Sequence, residues 1–273
     1  MERRRLLEAL LSAYLARFAA AICDADETAI RSDLTVGGKL VLESVGDLTV
    51  SYAPFEHLAH GAKIVIVGIT PTPQQVRNAL FAVRRHLLQN AGYGSALAAA
   101  HVYAACSGQT QKNLVRMLDH IGVARWLGVG STSWLWTTHR ALAHFTSALR
   151  FPVFVAGKYY CQQGDMSRSP PLARLLNTCL AEEAMVFSDA VWIPAGPRAD
   201  QGVQHLVREG LLRADQVLSG LVNPNQANNE RVYYFAGLKA RETLSSITEP
   251  VRIDIARDAL IAQVSKLPAA ALA

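Results

Sequence analysis

Apolar runs alternate with segments of helical periodicity along most of the chain. Ala62–Gly68 is a β-branched apolar run that ends in glycine, which is typical of a buried parallel strand. Strands that alternate with helices predict an α/β fold, a three-layer α/β/α sandwich with a mostly parallel central sheet. The further predicted strands are Phe151–Gly157, Ala190–Gly196 and Gln216–Val222, and the predicted helices cover 73–90, 111–120, 171–187, 198–209, 231–235 and 249–266.

The N-terminal segment is predicted to be an amphipathic helix. It begins with basic residues and turns apolar, but Glu8, Arg17 and Asp24 interrupt the apolar run, so it does not match a signal peptide. We therefore expect a helical arm over residues 1–32, and one α/β/α domain over 33–273 in which turn signals near Gly46 separate short β-like runs. The apolar positions of the arm are Leu6, Leu7, Leu10, Leu11, Tyr14, Leu15 and Phe18.

The hydrophobic content and the net charge of the chain indicate which classes of protein it fits. Hydrophobic residues make up 51% of the 273 residues, which is enough for a sizeable core. The net charge of +5 fits an anionic partner such as nucleic acid without requiring one. No stretch reaches the roughly 20 apolar residues that a membrane span needs. We expect a cytoplasmic protein with no membrane contact.

The cysteines argue against a metal or cluster cofactor. Cys23, Cys106, Cys161 and Cys179 form no Cys-x-x-Cys pair. Zinc ribbons and cysteine-ligated iron–sulfur clusters rely on such close pairs. The sequence therefore predicts reduced thiols, no metal site and no cofactor.

Two loops after predicted strands carry the candidate chemistry. Residues 223–229 hold four Asn, one Gln and one Pro within seven positions, a density of short polar groups that bond both backbone and ligand. After the first predicted strand, Gly68 permits a close backbone approach and Pro73 can open a helix whose N–H groups face the cleft. Functional groups of parallel sheets gather at the carboxyl ends of strands.

These loops resemble two motifs of the uracil-DNA glycosylase superfamily, and the similarity covers roughly residues 60–240. In the family's second motif a strand ends in His-Pro-Ser-Gly-Ala-Asn; here Asn223 stands at the His position. In the first motif Thr70 stands where the family often has Asp or Asn. The segment from Arg150 to Tyr160 is similar to the family's base-reading segment, and Cys106–Asp119 is similar to a Gly-x-x-Arg-Asn-Leu helix entry.

The resemblance implies a monomeric enzyme that flips a nucleotide out of DNA and hydrolyses its N-glycosidic bond, leaving an abasic site. Thr70 would position the attacking water, although a hydroxyl is a poor base, and Asn223 would donate a hydrogen bond to the departing base. The base pocket would comprise Gly68, Ile69, Pro71, Gly157, Lys158 and Tyr159. The DNA-binding residues would be Lys112, Pro224, Asn225, Gln226, Asn228 and Arg231, and Asn228 would also cap the following helix.

The departures from the family pattern point to a different leaving base. Thr70 and Asn223 replace the residues that expel uracil, and an Asn after Val155 is missing. The superfamily includes a phage-defence branch that removes glucosylated hydroxymethylcytosine from viral DNA. An opening at Gly157 and an amide-rich loop would suit such a sugar-bearing pyrimidine, because amides hydrogen-bond hydroxyl groups.

Three alternatives stay open at this point. The protein could be a repair glycosylase for uracil or another deaminated base. It could instead be a catalytically inert DNA-binding module, whose binding would depend on salt and leave no abasic sites. An unrelated doubly wound enzyme that binds a nucleotide is disfavoured, because no Gly-x-Gly-x-x-Gly or Gly-x-x-x-x-Gly-Lys motif follows a predicted strand.

Overall fold

The computed structural model describes residues 2–160 and 165–270, with side chains from residue 13 onward. The fold is mixed α/β, and about half of it is helical. The helices are α1 (Glu2–Asp24), α2 (Glu27–Asp33), α3 (Pro73–Leu88), α4 (Tyr93–His101), α5 (Gly108–His120), α6 (Val123–Trp126), α7 (Pro170–Leu175), α8 (Ala181–Val186), α9 (Pro197–Arg208), α10 (Asn229–Phe235) and α11 (Pro250–Lys266). The strands are β1 (Val41–Val45), β2 (Leu48–Ser51), β3 (Ile64–Gly68), β4 (Ala143–Ser147), β5 (Val153–Val155), β6 (Lys158–Tyr159) and β7 (Val191–Pro194).

The chain divides into two compact units, each assembled from three chain segments. The first unit comprises Met1–Leu58, Thr70–Ala105 and Phe145–Leu180. The second unit comprises Ala59–Ile69, Cys106–His144 and Ala181–Ala273. Among the described residues, no helix is both long enough and apolar enough to span a lipid bilayer.

The first unit contains an antiparallel sheet with the strand order β1-β2-β5-β6. The prediction that Phe151–Gly157 joins a parallel sheet was wrong: the strand there pairs antiparallel with β2, with Val50 opposite Val153. Ala156 and Gly157 both have positive φ, 49° and 73°, which closes a two-residue hairpin between β5 and β6. An apolar run alone does not specify whether its partner strand is parallel or antiparallel.

The helices of the first unit follow their sequence signals. Thr72 and Gln75 form a reciprocal capping box at the start of α3, and Pro73 occupies the first helical turn as predicted. In α1, the predicted apolar positions Leu15 and Phe18 are buried, and the Phe18 ring stacks on Tyr52 at a centroid distance of 4.7 Å. The side chains of Leu6, Leu7, Leu10 and Leu11 lie outside the described residues. The predicted arm over residues 1–32 coincides with α1 and α2, and its boundary with a separate domain stays a prediction.

A second sheet has the strand order β4-β3-β7. The strands β3 and β7 pair in parallel, from Ile64 opposite Val191 to Val67 opposite Pro194, and their predicted positions are confirmed. The predicted strand at Gln216–Val222 is wrong. Only a parallel bridge between Val217 and Trp192 forms there, because Gly220, with φ of +117°, leaves the extended conformation.

Candidate functional site

A cavity of about 360 Å³ lies beside the asparagine-rich loop in the second unit. We call it the asparagine cavity. Its floor and walls include apolar side chains and the turn at Gly220, which replaces the end of the predicted strand. The polar residues that line it are Asp200, Asn223, Asn228, Arg231, Glu249 and Arg252.

Asn223 presents a fixed hydrogen-bond donor to this cavity. Its Oδ1 accepts a hydrogen bond of 3.0 Å from the backbone N–H of Asn225. A backbone N–H can only donate, so the oxygen of the Asn223 amide must face Asn225 and the NH₂ group must face away. Within the described part of the chain, Nδ2 of Asn223 makes no hydrogen bond. The loop therefore holds a neutral donor on the cavity wall, with its orientation set by a local turn.

Side-chain hydrogen bonds join Asn225, Asn228 and Arg231 in series. Asn228 donates from Nδ2 to Asn225 Oδ1 at 2.6 Å, and Arg231 donates from Nη1 to Asn228 Oδ1 at 3.0 Å. Asn228 stands at the N-cap position of α10 as predicted, but its side chain makes no capping hydrogen bond: its oxygen accepts from Arg231, and its ψ of 16° is far from the extended conformation typical of a capping residue. Arg231 also donates to the carbonyl of Ile247 at 3.0 Å, so two of its five donors already serve the fold.

Asn113 is a buried residue that anchors this loop. Its Nδ2 donates to the carbonyl of Pro224 at 2.9 Å and to Asn229 Oδ1 at 2.7 Å. Its Oδ1 accepts from Gln109 at 2.8 Å and from Arg116 at 3.0 Å. The amide thus uses both donors and both lone pairs on fixed partners.

The predicted DNA-binding residues differ in their surroundings. Lys112 precedes Asn113 on α5 and is exposed, as are Asn225 and Gln226, whereas Pro224 is buried. Neither Lys112 nor Gln226 forms a side-chain hydrogen bond within the residues that the structure describes. These exposed groups are available to a ligand, and their contact with phosphate stays a prediction.

The loop after β3 is divided between the units. Gly68 and Ile69 are half-buried and belong to the second unit, while Thr70 and Pro71 belong to the first. The Thr70 hydroxyl donates to the carbonyl of Phe151 at 3.1 Å. Its proton is therefore engaged, and only its oxygen lone pairs can receive a hydrogen bond from water.

The predicted base-pocket residues 157–159 lie on the β5–β6 hairpin. Gly157 and Lys158 are exposed, and Gly157 supplies the positive φ that the turn requires. The ring of Tyr159 meets Phe154 edge-on at 4.8 Å, and burial raises the pKa of its hydroxyl. The turn itself therefore accounts for the glycine, and contact of Gly157, Lys158 and Tyr159 with a base stays a prediction.

A buried acid in the first unit had no signal in the sequence. Glu56 is 1% exposed, and burial raises the pKa of its carboxyl to about 8, although the nearby Tyr52 hydroxyl and the charge of Arg150 both act to lower it. Arg150 is also buried and donates to the carbonyl of Cys179 at 2.8 Å. At neutral pH the Glu56 carboxyl is therefore largely protonated. It could have been found only from its tertiary surroundings.

The cysteine, histidine and carboxylate side chains bear on metal binding and on nucleophilic chemistry. Within residues 2–160 and 165–270, no group of three or more His, Cys, Asp or Glu side chains could hold a metal ion. Burial raises the pKa of the Cys106 thiol to about 12, so it is no nucleophile at neutral pH. Cys161 lies outside the described residues.

Sequence similarity relates the chain to a bacterial protein. No protein-family model and no solved structure matches the chain. The chain is 30% identical over 198 residues to the uncharacterized protein YoxB of Bacillus subtilis (strain 168), an alignment that covers 71% of this chain and 77% of YoxB. Identity at this level over most of both chains shows common ancestry, and the protein therefore belongs to the YoxB family.

Proposed function

We propose that this protein is a DNA glycosylase that hydrolyses the N-glycosidic bond of a flipped-out, modified pyrimidine. The observation that carries the proposal is the oriented NH₂ group of Asn223 on the wall of the asparagine cavity. A volume of about 360 Å³ falls within the range of small-ligand pockets and suits a base with a substituent. The three-layer α/β/α architecture and the uracil-DNA glycosylase ancestry are part of the same proposal, and they rest on the sequence motifs.

The chemistry follows from where charge develops. As the bond between the sugar C1′ and the base nitrogen breaks, the bonding electrons pass to the base, and its carbonyl oxygen becomes more negative. A donor that is already oriented stabilises this charge without reorganising. Water then adds to C1′, and the base takes up a proton. The role of Thr70 in positioning that water comes from the resemblance alone.

The leaving base that we favour is a cytosine with a bulky substituent, with glucosylated hydroxymethylcytosine of phage DNA as the specific hypothesis. The partner would be DNA alone, and the enzyme would act as a monomer without a cofactor. A cell that expresses the protein should then resist phages whose DNA carries this base and remain sensitive to phages with ordinary cytosine.

The test is base release from a panel of defined DNAs. Oligonucleotides that contain cytosine, uracil, hydroxymethylcytosine or glucosylated hydroxymethylcytosine would be incubated with the protein and then treated with alkali, which cuts at abasic sites. We expect scission of one modified DNA. Scission of uracil DNA alone would favour a repair enzyme, and salt-dependent binding with no scission would favour an inert binding module.

Asn223→Asp is the informative variant. An aspartate still accepts the hydrogen bond from Asn225 but replaces the NH₂ donor with a charged acceptor. We expect base release to fall about 100- to 1000-fold, as when one donor to a developing charge is removed. Asn78→Ala, which removes an amide that bonds Gln74 on α3, should leave the rate unchanged. Equal rates for Asn223→Asp and wild type would exclude the proposed role.

A further inference from the structure

Asp200 is a second oriented polar group on the wall of the asparagine cavity. It lies in the first turns of α9, and its Oδ1 accepts a hydrogen bond of 2.6 Å from Ser219 Oγ. Ser219 in turn accepts a hydrogen bond of 2.8 Å from Gln204 Nε2. The three side chains form a chain of hydrogen bonds within the second unit. One oxygen of the Asp200 carboxylate is therefore held in place before any ligand arrives.

The second oxygen of Asp200 is available. Among the described residues, Oδ2 of Asp200 makes no hydrogen bond, just as Nδ2 of Asn223 makes none. Each side chain is thus fixed through one atom, has a second atom without a hydrogen bond among the described residues, and belongs to a residue that lines the cavity. An ionised carboxylate only accepts hydrogen bonds, whereas the NH₂ group of Asn223 only donates. The wall therefore combines one oriented acceptor with one oriented donor.

The charges around the cavity argue against a phosphate as the group that Asp200 meets. Two carboxylates, Asp200 and Glu249, line the cavity together with two guanidinium groups, Arg231 and Arg252. A phosphate beside a carboxylate would be repelled. The arrangement instead suits a neutral group that carries N–H or O–H donors.

We propose that Asp200 is a specificity-determining residue that selects a leaving base whose exocyclic substituents carry hydrogen-bond donors over uracil, whose exocyclic groups are both carbonyl oxygens. The donors would be the exocyclic amino group of a cytosine-type base or the hydroxyl groups of a sugar attached to it. Acidic side chains accept hydrogen bonds from the cytosine amino group. Uracil carries a carbonyl at the same ring position, where a carboxylate can only repel it. This inference rests on the proposed function and names the substrate class for the same cavity.

Asp200→Asn tests the inference, because an asparagine keeps an oxygen for Ser219 and turns the available atom into a donor. We expect the ratio of kcat/KM for cytosine-type over uracil DNA to fall at least tenfold. Asp189→Asn, at an exposed aspartate of the same unit, changes the charge equally and should leave the ratio unchanged. An equal loss on every substrate would overturn the inference, because it would show that the carboxylate of Asp200 supports the reaction without distinguishing one base from another.

The substrates also separate the two sources of donors. A loss of binding in Asp200→Asn that is equal for cytidine and for the nucleoside of glucosylated hydroxymethylcytosine would identify the amino group, and a loss confined to the glucosylated nucleoside would identify the sugar hydroxyls. If the wild-type protein releases no base at all, the proposed function fails. Calorimetric binding of cytidine and uridine then decides the inference separately: tighter binding of cytidine that is lost in Asp200→Asn supports it, and equal binding in wild type overturns it.

Discussion

A β-carbon added at Gly196 would lie 2.9 Å from the Cα atom of Asn223. The turn between β7 and α9 therefore touches the backbone of the residue that presents the oriented donor, and Gly196 also has φ of +106°. We expect Gly196→Ala to displace Asn223 and to lower base release more than tenfold. An alanine at this φ, with ψ of 171°, would also add strain of about 1–3 kcal/mol, because this backbone conformation is essentially restricted to glycine.

Gly210→Ala is the matched control for this substitution. Gly210 also has a positive φ, +71°, but nothing lies within 4 Å of an added β-carbon. Thermal melting should show a loss of stability in both variants, while base release should fall in Gly196→Ala alone. Equal base release from the two variants would show that the contact with Asn223 does not position it.

Asn113→Leu should loosen the asparagine loop. The substitution removes two donors from the buried carbonyl of Pro224 and from Asn229, at a cost of about 1–3 kcal/mol for each partner left unsatisfied. We expect the backbone N–H of Asn225 to lose its protection from hydrogen exchange, because the turn that holds it depends on the anchored loop. Exchange measured by NMR checks this independently of any activity.

Gln216→Met controls for the general loss of stability. Gln216 is a buried amide that donates to the carbonyls of Ser188 and Ala190, each at 2.9 Å, and does not touch the loop. It should destabilise the protein to a similar degree while the Asn225 amide keeps its protection. Equal protection of Asn225 in both variants would argue against Asn113 as the anchor.

Glu230 should make the protein more stable above pH 4.5 than at acidic pH. Hydrogen bonds from Lys239, Ser245 and Thr248 lower the pKa of Glu230 from 4.5 to about 2. A carboxyl with a lowered pKa stabilises the folded state above its unfolded pKa, and this contribution is lost as pH falls from 4.5 towards 2. Glu230→Gln should therefore have a lower Tm than wild type at pH 7 and the same Tm near pH 2. A gap that persists at pH 2 would contradict this origin.

Glu56 should make the protein less stable as pH rises from 4.5 to 8, which is the opposite of the effect of Glu230. Its pKa is raised from 4.5 to about 8, so the folded state keeps a proton that the unfolded state releases. The stability of the wild-type protein should thus fall by on the order of a few kcal/mol as pH rises from 4.5 to 8. Glu56→Gln should remove this slope and exceed the wild type in Tm at pH 8. An unchanged slope in the variant would assign the pH dependence to another group.

Much of the fold could be predicted because its signals are local. The β-branched run of β3 and the proline that opens α3 depend on neighbours in sequence, and both were predicted at the observed positions. The pairing of strands is not local. Nothing in Phe151–Gly157 distinguishes a parallel partner from the antiparallel β2. At Gly220, an added β-carbon would lie 3.2 Å from Ala256 of α11, a close approach between segments that are distant in sequence.

The same division applies to the candidate site. The density of asparagines located the loop that lines the cavity, because such residues serve turns and ligands. The anchoring role of Asn113 could not be predicted, since its four hydrogen bonds include partners 111 and 116 residues away. In the sequence, Asp200 is an ordinary acidic residue at the start of a predicted helix. Only the hydrogen bond from Ser219 in the folded chain shows that its carboxylate is held in one orientation.

The assembly of each unit from three segments has a consequence for gene engineering. The chain passes from one unit to the other after Leu58, Ile69, Ala105, His144 and Leu180, so no single cut in the gene releases either unit whole. A fragment that ends at Leu180 would lack most of the second unit while carrying pieces of it, and we expect it to show no cooperative melting transition. Function in this protein is best mapped by single substitutions in the intact chain, since deletion of any one segment leaves its unit without part of its packing.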